Sequence, residues 1–397
     1  MSEWKEYKLG DIACFSYGRM PKKELINTGV FPIFSGYKYQ YLYPENNCDE
    51  GDLIIVARGV GGTGDVKIVR EKCYLTNLSI KVNLKNGIVL NEFFYYFFNQ
   101  ETLRYLDSGS AQSQITIQDL EKEFFMFPDI ETQKSISYIL RSLDYKIDLL
   151  HRQNATLEKM AETLFRQWFV ERESLNYDSN DFYDGHEFKN QGNQPNQKNQ
   201  GSDNVEETKE EWEEGTLGDV IEIYDNLRVP LSKMERDKKK DGQLYPYYGA
   251  AQIMDYINDY IFDGEYILLG EDGTVRTDEG YPVLQYATGK FWVNNHTHVI
   301  RAKQPYNNFF IWNYLKKKNI DEIVTGAVQP KINQANLKSI DFPKYPENLV
   351  IEFNKISELF FKKINQNKTQ IRTLTALRDT LLPKLMSGEV RVNNDFE

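Results

Sequence analysis

From Ile136 onward, apolar residues return at Leu140, Leu143, Ile147 and Leu150, and the same beat continues through Asn154, Leu157, Ala161, Leu164 and Trp168. The steps alternate four and three, which is the heptad seam of a helix that packs along one narrow stripe. Phe353, Ile356, Phe360, Ile364, Asn367, Ile371, Leu374 and Leu381 keep a looser version of this rhythm. Asp129 is placed to cap the first helix, with Glu131 in its first turn, and Pro383 and Gly388 are expected to end the second. Each seam holds one asparagine near its centre. If the helices pair antiparallel, Ile136 lies near Leu381, Trp168 lies near Phe353, and Asn154 falls beside Asn367. A buried Asn pair fixes register, whereas the alternative is two unrelated, exposed asparagines.

The rest of the chain is patterned differently. Short β-rich runs at 53–57, 66–69, 78–82, 266–269 and 291–293 are separated by Gly, Asn and Asp clusters and read as strands. Residues 91–106 and 306–317 read as short amphipathic helices. These patterns occur twice. Trp4…Leu9-Gly10-Asp11 returns as Trp212…Leu217-Gly218-Asp219, and Phe31-Pro32-Ile33-Phe34-Ser35-Gly36 as Tyr245-Pro246-Tyr247-Tyr248-Gly249. Gly51-Asp52 before an apolar strand matches Gly264-Glu265, and the segment Gly109–Ile115 matches Gly326–Ile332. The copies lie about 208 to 217 residues apart and keep their order, so the chain is an internal duplication.

The expected fold class is therefore α+β, with two repeated mixed modules separated by an antiparallel pair of long coiled-coil helices and related by a pseudo-two-fold axis. The expected boundaries are 1–130 for the first module, 131–172 for the first long helix, 173–211 for a linker, 212–346 for the second module and 347–392 for the second long helix. Forty residues of helix span about 60 Å. Two modules held apart by such a spacer match the local symmetry of duplex DNA and could read two half-sites with an unread gap.

The formal charge of −11 speaks against nucleic acid until it is located. Between Glu173 and Glu214 there are 12 acidic and 3 basic residues, a balance of −9, which leaves about −2 for everything else. That stretch is rich in Asn, Gln and Gly and reads as a tether, and a basic face elsewhere remains compatible with the total. Cys14, Cys48 and Cys73 have no C-x-x-C spacing and suggest neither a disulfide framework nor a zinc site. With no signal peptide and no long apolar run, a soluble, cytoplasmic protein is expected.

Several motifs have a functional reading and a plainer one. Gly59-Val60-Gly61-Gly62-Thr63-Gly64 matches G-x-G-x-x-G, yet strand-like residues follow it where a dinucleotide site needs a helix. A hairpin loop explains it better, and as a DNA-facing loop it brings Arg58, Gly61, Thr63 and Lys67 close to a duplex; Asp272, Thr274 and Arg276 are the counterparts. Tyr37 and Lys38 open an aromatic and basic run that could grip a backbone or form a half-buried strand. Gln112, Ser113, Gln114, Gln329, Lys331 and Asn333 are of a type that reads base edges, or they cap the next helix. Tyr248 and His296 complete the candidate DNA-contacting set. His296 and His298 alternate on an expected strand, but no third ligand clusters with them, so no metal is expected. Leu164, Phe165, Trp168, Phe169, Leu381, Leu382, Leu385 and Met386 exceed what a two-helix seam can bury; they are expected to bind a partner, the alternative being packing beneath the modules. No phosphate-cradling G-x-x-x-x-G-K-[ST] and no Asn/Asp-Pro-Pro-aromatic methyltransferase motif is present.

Taken in order, Trp4…Leu9-Gly10-Asp11 and its copy, the 109–115 and 326–332 segments, the run Asn294–Arg301 and the helix ends 157–170 and 377–390 resemble the specificity (S) subunit of type I restriction-modification systems over nearly the whole chain. The resemblance implies two target recognition domains that bind double-stranded DNA at a bipartite, asymmetric site. It implies helices that hold two adenine methyltransferase (M) subunits, which restriction (R) subunits join. It also implies a non-catalytic chain that binds no cofactor itself, with S-adenosylmethionine, ATP and Mg used by the partners. The acidic linker departs from the family pattern. The rival reading is a self-contained nuclease or methyltransferase with unfamiliar motifs, and a third is a scaffold for protein or RNA.

Overall fold

The computed structural model describes residues 4–36, 38–59, 62–85, 87–107, 113–171, 212–326 and 328–392. The expected tether at 173–211 lies outside them. The chain divides into two compact units, Met1–Arg152 with Asn367–Glu397, and Gln153–Gln366.

In the first unit, strand β1 (Lys5–Lys8) leads into the short helix α1 (Leu9–Ile12), followed by β2 (Ala13–Tyr17), β3 (Phe31–Ser35), β4 (Lys38–Tyr43), β5 (Leu53–Val56), β6 (Val66–Ile68), β7 (Tyr74–Leu75) and β8 (Ser79–Leu84). Helix α2 (Asn91–Gln100), helix α3 (Ile117–Lys122) and β9 (Phe124–Phe127) precede the long helix α4 (Ile130–Phe169). The second unit runs through α5 (Leu217–Val220), β10 (Ile221–Ile223), α6 (Lys233–Asp237), β11 (Tyr245–Tyr248), β12 (Ile253–Ile257), β13 (Phe262–Gly270), β14 (Leu284–Val293), β15 (Thr297–Ala302), α7 (Asn308–Leu315) and α8 (Gln334–Lys338) to the long helix α9 (Glu347–Met386).

The duplication is visible in the sheets. The first unit has the orders β2-β8-β5-β6 and β4-β3-β7; the second has β10-β15-β13-β14-β11-β12. These are one topology, because β14 is a single ten-residue strand doing what β6 and β7 do separately. Its last residues pair parallel with β11, as β7 pairs parallel with β3. Even a small feature is copied: Lys85 Nζ donates to the carbonyls of Gly10 and Asp11, and Lys303 Nζ to those of Gly218 and Asp219.

Three sequence expectations need adjustment. The run 91–106 is not one helix: α2 stops at Gln100, and Thr102 starts a separate 3-10 turn by accepting from the Arg104 amide. The second short helix is trimmed to Asn308–Leu315 because the Asn307 side chain caps it, accepting from Phe310 N at 2.8 Å. Pro383 does not end α9 but sits in its last turn. The stop comes at Gly388, whose φ of +73° suits glycine, with Val390 N reaching back to Lys384 O. Asp129 caps α4 as expected, accepting from Thr132 N at 2.9 Å.

Each unit closes its own core with pieces of both long helices. In the first, Ile136 and Leu140 of α4 share a core with Leu385 and Met386 of α9, and Arg378 Nη1 lies 2.8 Å from Asp144 Oδ1. In the second, Phe165 and Phe169 of α4 pack on Phe353 of α9, with ring centroids 5.6 and 5.3 Å apart, and on Phe310 of α7. Within each unit the two helix halves therefore run antiparallel. Asn154 and Asn367 are both buried, so the picture of two exposed asparagines does not hold.

Phe165, Phe169, Leu385 and Met386 are thus core residues, and Leu164, Trp168, Leu381 and Leu382 pack against the same cores half-buried. Packing beneath the modules accounts for this apolar surplus, because it serves two sheet-and-helix cores besides the seam. Among the described residues no helix is long and apolar enough to cross a membrane.

Truncating Phe353, fully buried among four aromatic rings, tests the closure of the second core. Phe353→Ala is expected to destabilise that unit by about 3–5 kcal/mol, read as a lowered urea midpoint.

Candidate nucleic-acid interface

In both units the chain leaves a central strand and is caught by the segment that precedes a short helix. Ile115 N donates to Ala57 O at 2.9 Å, and Ile332 N to Glu271 O at 2.8 Å. Ile115 and Ile332 are fully buried and anchor these segments from below. One step further out, single β-bridges join Arg58 to Gln114 and Asp272 to Lys331. The two expected loop clusters are therefore brought together, and in the same way twice.

The loop after β5 is a hairpin, since β6 pairs antiparallel with β5, and the nucleotide-site alternative lacks its helix. Gly64 has φ +90°, and a Cβ there would lie 2.6 Å from Arg104 N, so the loop rests directly on the 3-10 turn. Thr63, expected to face DNA, points inward: it is 5% exposed and its hydroxyl donates to Gly59 O at 3.0 Å. Lys67 and Arg104 both lie by Asp65, at 3.9 and 2.9 Å. Arg58 is half-buried, with its Nε atom buried and unpaired. Lys38 is exposed at the start of β4. Gly61, Tyr37 and Gln112 lie outside the described residues.

In the second unit Thr274, Arg276, Gln329 and Lys331 are exposed, and Arg276 pairs with Asp321. Tyr248 is instead half-buried in the sheet, edge-on to Phe291, which makes it a packing residue first. The capping alternative holds for Asn333, which caps α8, whereas Thr116 caps α3, so Gln114 and Lys331 cap neither helix.

The histidines do not share a face. His296 sits in the turn before β15, half exposed, with Nδ1 2.5 Å from Asp272 Oδ1. His298 is fully buried on β15. Its Nδ1 lies 2.6 Å from Asp225 Oδ2 and its Nε2 lies 2.8 Å from Ile332 O. Both ring nitrogens therefore face oxygen atoms, a carboxylate on one side and a main-chain carbonyl on the other.

Around it stand residues that sequence reasoning missed. Asp225 Oδ1 accepts from Val299 N at 2.9 Å, and Asp225 Oδ2 accepts from Gln334 Nε2 at 2.7 Å. Arg228 Nη1 donates to Glu271 Oε2 at 2.5 Å and to Thr297 O at 2.7 Å; Lys331 Nζ lies 3.5 Å from Glu271 Oε1. Burial pushes the Asp225 carboxyl up, but the His298 bond and charge, the Val299 amide and Arg228 outweigh it and leave it below its ordinary value. Ligand atoms of Asp225, Glu271 and His298 come within 4.8 Å of one another, as a metal site would need. The Arg228 guanidinium, however, lies against both carboxylates and takes the place of a cation.

Among the described residues the first unit has no such network at the matching places. The hydrogen bonds and strand register align Ala57 with Glu271 and Ile80 with His298, and both first-unit residues are buried and apolar. No run or spacing in the sequence announces such a network. Its only trace is a charged pair, Asp225 and Arg228, in a segment with no other motif.

A depressed carboxyl value means stability that is present above the unfolded value of about 3.9 and lost as pH falls through the folded value. The denaturant midpoint of the second unit should therefore drop steeply below about pH 4. Asp225→Asn should remove part of that steepness and cost about 3 kcal/mol at neutral pH, because His298 and Arg228 are left without their carboxylate. Unfolding curves recorded between pH 3 and 7 measure both effects.

The type I restriction modification DNA specificity domain model matches residues 1–159 and 209–351. The type I restriction enzyme MjaIX specificity subunit of Methanocaldococcus jannaschii is 27% identical over 98% of this chain and 89% of its own length. The Haemophilus influenzae specificity subunit S.HindORF215P is 38% identical over 140 residues, and the match spans only 35% of either chain. The crystal structure of the type I restriction-modification system S subunit from M. genitalium superposes with a TM-score of 0.65 at 20% identity, covering 97% of this chain and 96% of the other, so the two share a fold. With two long segments matched, one in each repeat, this chain belongs to the type I restriction modification DNA specificity domain family.

Proposed function

We propose that this chain is the sequence-reading, non-catalytic subunit of a cytoplasmic type I restriction-modification complex. It binds double-stranded DNA at a bipartite, asymmetric site and places two adenine methyltransferase subunits, joined by restriction subunits when DNA is to be cut. The observation that carries this reading is the loop-on-loop platform built twice on one topology, with different side chains on top. Duplicated geometry suits two half-sites of the same duplex, and different chemistry suits two different sequences. The names of the related specificity subunits support the same assignment.

In this reading Arg58, Gln114, Asp272, Lys331, Gln329 and His296 face base edges, and Lys38, Lys67, Thr274 and Arg276 hold the backbone or approach it closely. The exposed faces of the long helices meet the methyltransferase subunits. A groove of about 630 Å³ in the second unit, lined by Met160, Leu164, Ile356 and Phe360 among others, supplies apolar surface for that contact. S-adenosylmethionine, ATP and Mg belong to the partners, and no cofactor or metal is assigned to this chain.

Exchange of residues 1–130 for the corresponding module of another specificity subunit is expected to change one half-site and leave the other unaltered; change in both halves, or in neither, would sink the modular reading. Truncation after Asn367 is expected to abolish assembly with the methyltransferase subunits, and a complex of normal size on gel filtration would count against it. Purified chain incubated alone with DNA, Mg and S-adenosylmethionine should neither cut nor methylate, which separates this reading from a self-contained enzyme.

A further inference from the structure

Resting on that reading, we infer that the bridge where the post-strand loop meets the pre-helix segment is the base-selecting position of each unit: Arg58 selects guanine in one half-site, and Asp272 selects a base with an exocyclic amino group in the other.

The two residues stand at the same place in the fold. Each follows the residue whose carbonyl receives the anchoring amide, Ala57 or Glu271, and each is bridged to its partner segment, at Gln114 or Lys331. Position is thus held constant while chemistry is inverted, which is what a duplicated reader of two unlike sequences requires. Arg58 is fixed at its base. Its side chain is half-buried, and its Nε is out of water without a hydrogen-bond partner. The terminal nitrogens, not the buried Nε, are the part of the guanidinium that a ligand can reach, and a ligand offering paired acceptors satisfies them. In the major groove guanine presents two such acceptors, N7 and O6, spaced for a guanidinium fork.

Asp272 has the opposite need. A bare carboxylate near phosphates is repelled, so it requires fixed positive charge beside it. Lys331, across the bridge, supplies that charge, and His296 Nδ1, 2.5 Å from Asp272 Oδ1, holds the carboxylate in place. What remains is an acceptor, the second carboxylate oxygen at the bridge, suited to the amino group of cytosine or adenine. Gly273, next in sequence, has φ +79° and open space around the position of a Cβ, so a duplex can approach the backbone there.

The test uses the full chain expressed with its methyltransferase subunits, and long-read mapping of methylated adenine gives the recognised motif. Arg58→Gln is expected to relax or replace guanine at one position of one half-site and leave the other half-site intact. Arg58→Lys keeps the charge but loses the fork; methylation should persist while discrimination at that position falls about tenfold or more. Asp272→Asn should alter only the opposite half-site. If Arg58→Lys and Asp272→Asn both methylate the original motif with undiminished discrimination, or if either changes both half-sites, the inference is overturned. If the unaltered chain supports no methylated motif at all, the specificity-subunit reading fails instead.

Discussion

The structure depends on where the ends of two helices are buried. Each unit completes its core with the beginning of one long helix and the end of the other: Ile136 and Leu140 with Leu385 and Met386 in one, Phe165 and Phe169 with Val350 and Phe353 in the other. A core closed in this way admits only antiparallel helix halves, and it ties residues well over a hundred positions apart into one packed body. Close-packed interiors tolerate little change in volume, so neither module can be formed fully before the far end of the chain arrives. The polar contacts follow the packing. Arg378 reaches Asp144, which also accepts from Tyr96 of α2, so the helix pair and the first module share one ion pair.

On that base the sheets carry their loops to the same place twice. The anchoring bonds at Ala57 and Glu271 are main-chain bonds and do not depend on which side chains lie above them. This separates two demands that usually conflict. Buried Ile115 and Ile332 hold the platform, while the bridging side chains are free to vary without disturbing it. A recognition surface built this way can change what it reads without changing how it folds.

The duplication and both long helices were legible in the sequence, because each is a pattern repeated over many residues and survives local noise. Helix ends were less legible. Pro383 reads as a stop, yet a proline in the last turn is tolerated when the helix is held by Leu385 and Met386 in a core. The apolar surplus at the helix ends was legible as surplus, but its destination was not, since periodicity counts the stripe facing the other helix and not the module beneath. Thr63 and Tyr248 show the same limit: a residue's type can suit DNA while its direction is set by a neighbouring carbonyl or ring. The sequence pairs His296 with His298 by alternation, and the turn at Asn295–His296 separates them into surface and interior.

The buried charges of the second unit mark the point where the two copies part most sharply. Burying Asp225, His298, Arg228 and Glu271 is costly, and well-packed apolar side chains such as Ala57 and Ile80 serve the first unit in the same places. Stability alone therefore does not explain the network. Its members come from four separate stretches: the 225–228 turn, the end of β13, the start of β15 and the segment before α8. Three of them border Asp272, His296 or Lys331 in sequence, and the 225–228 turn joins them through Glu271 and Thr297. In the proposed reading, an acidic reader beside DNA must be held against repulsion. Directional ion pairs fix the loops that carry it, where apolar contacts would let them slide. Arg58 carries a charge that DNA attracts, and an apolar floor suffices beneath it.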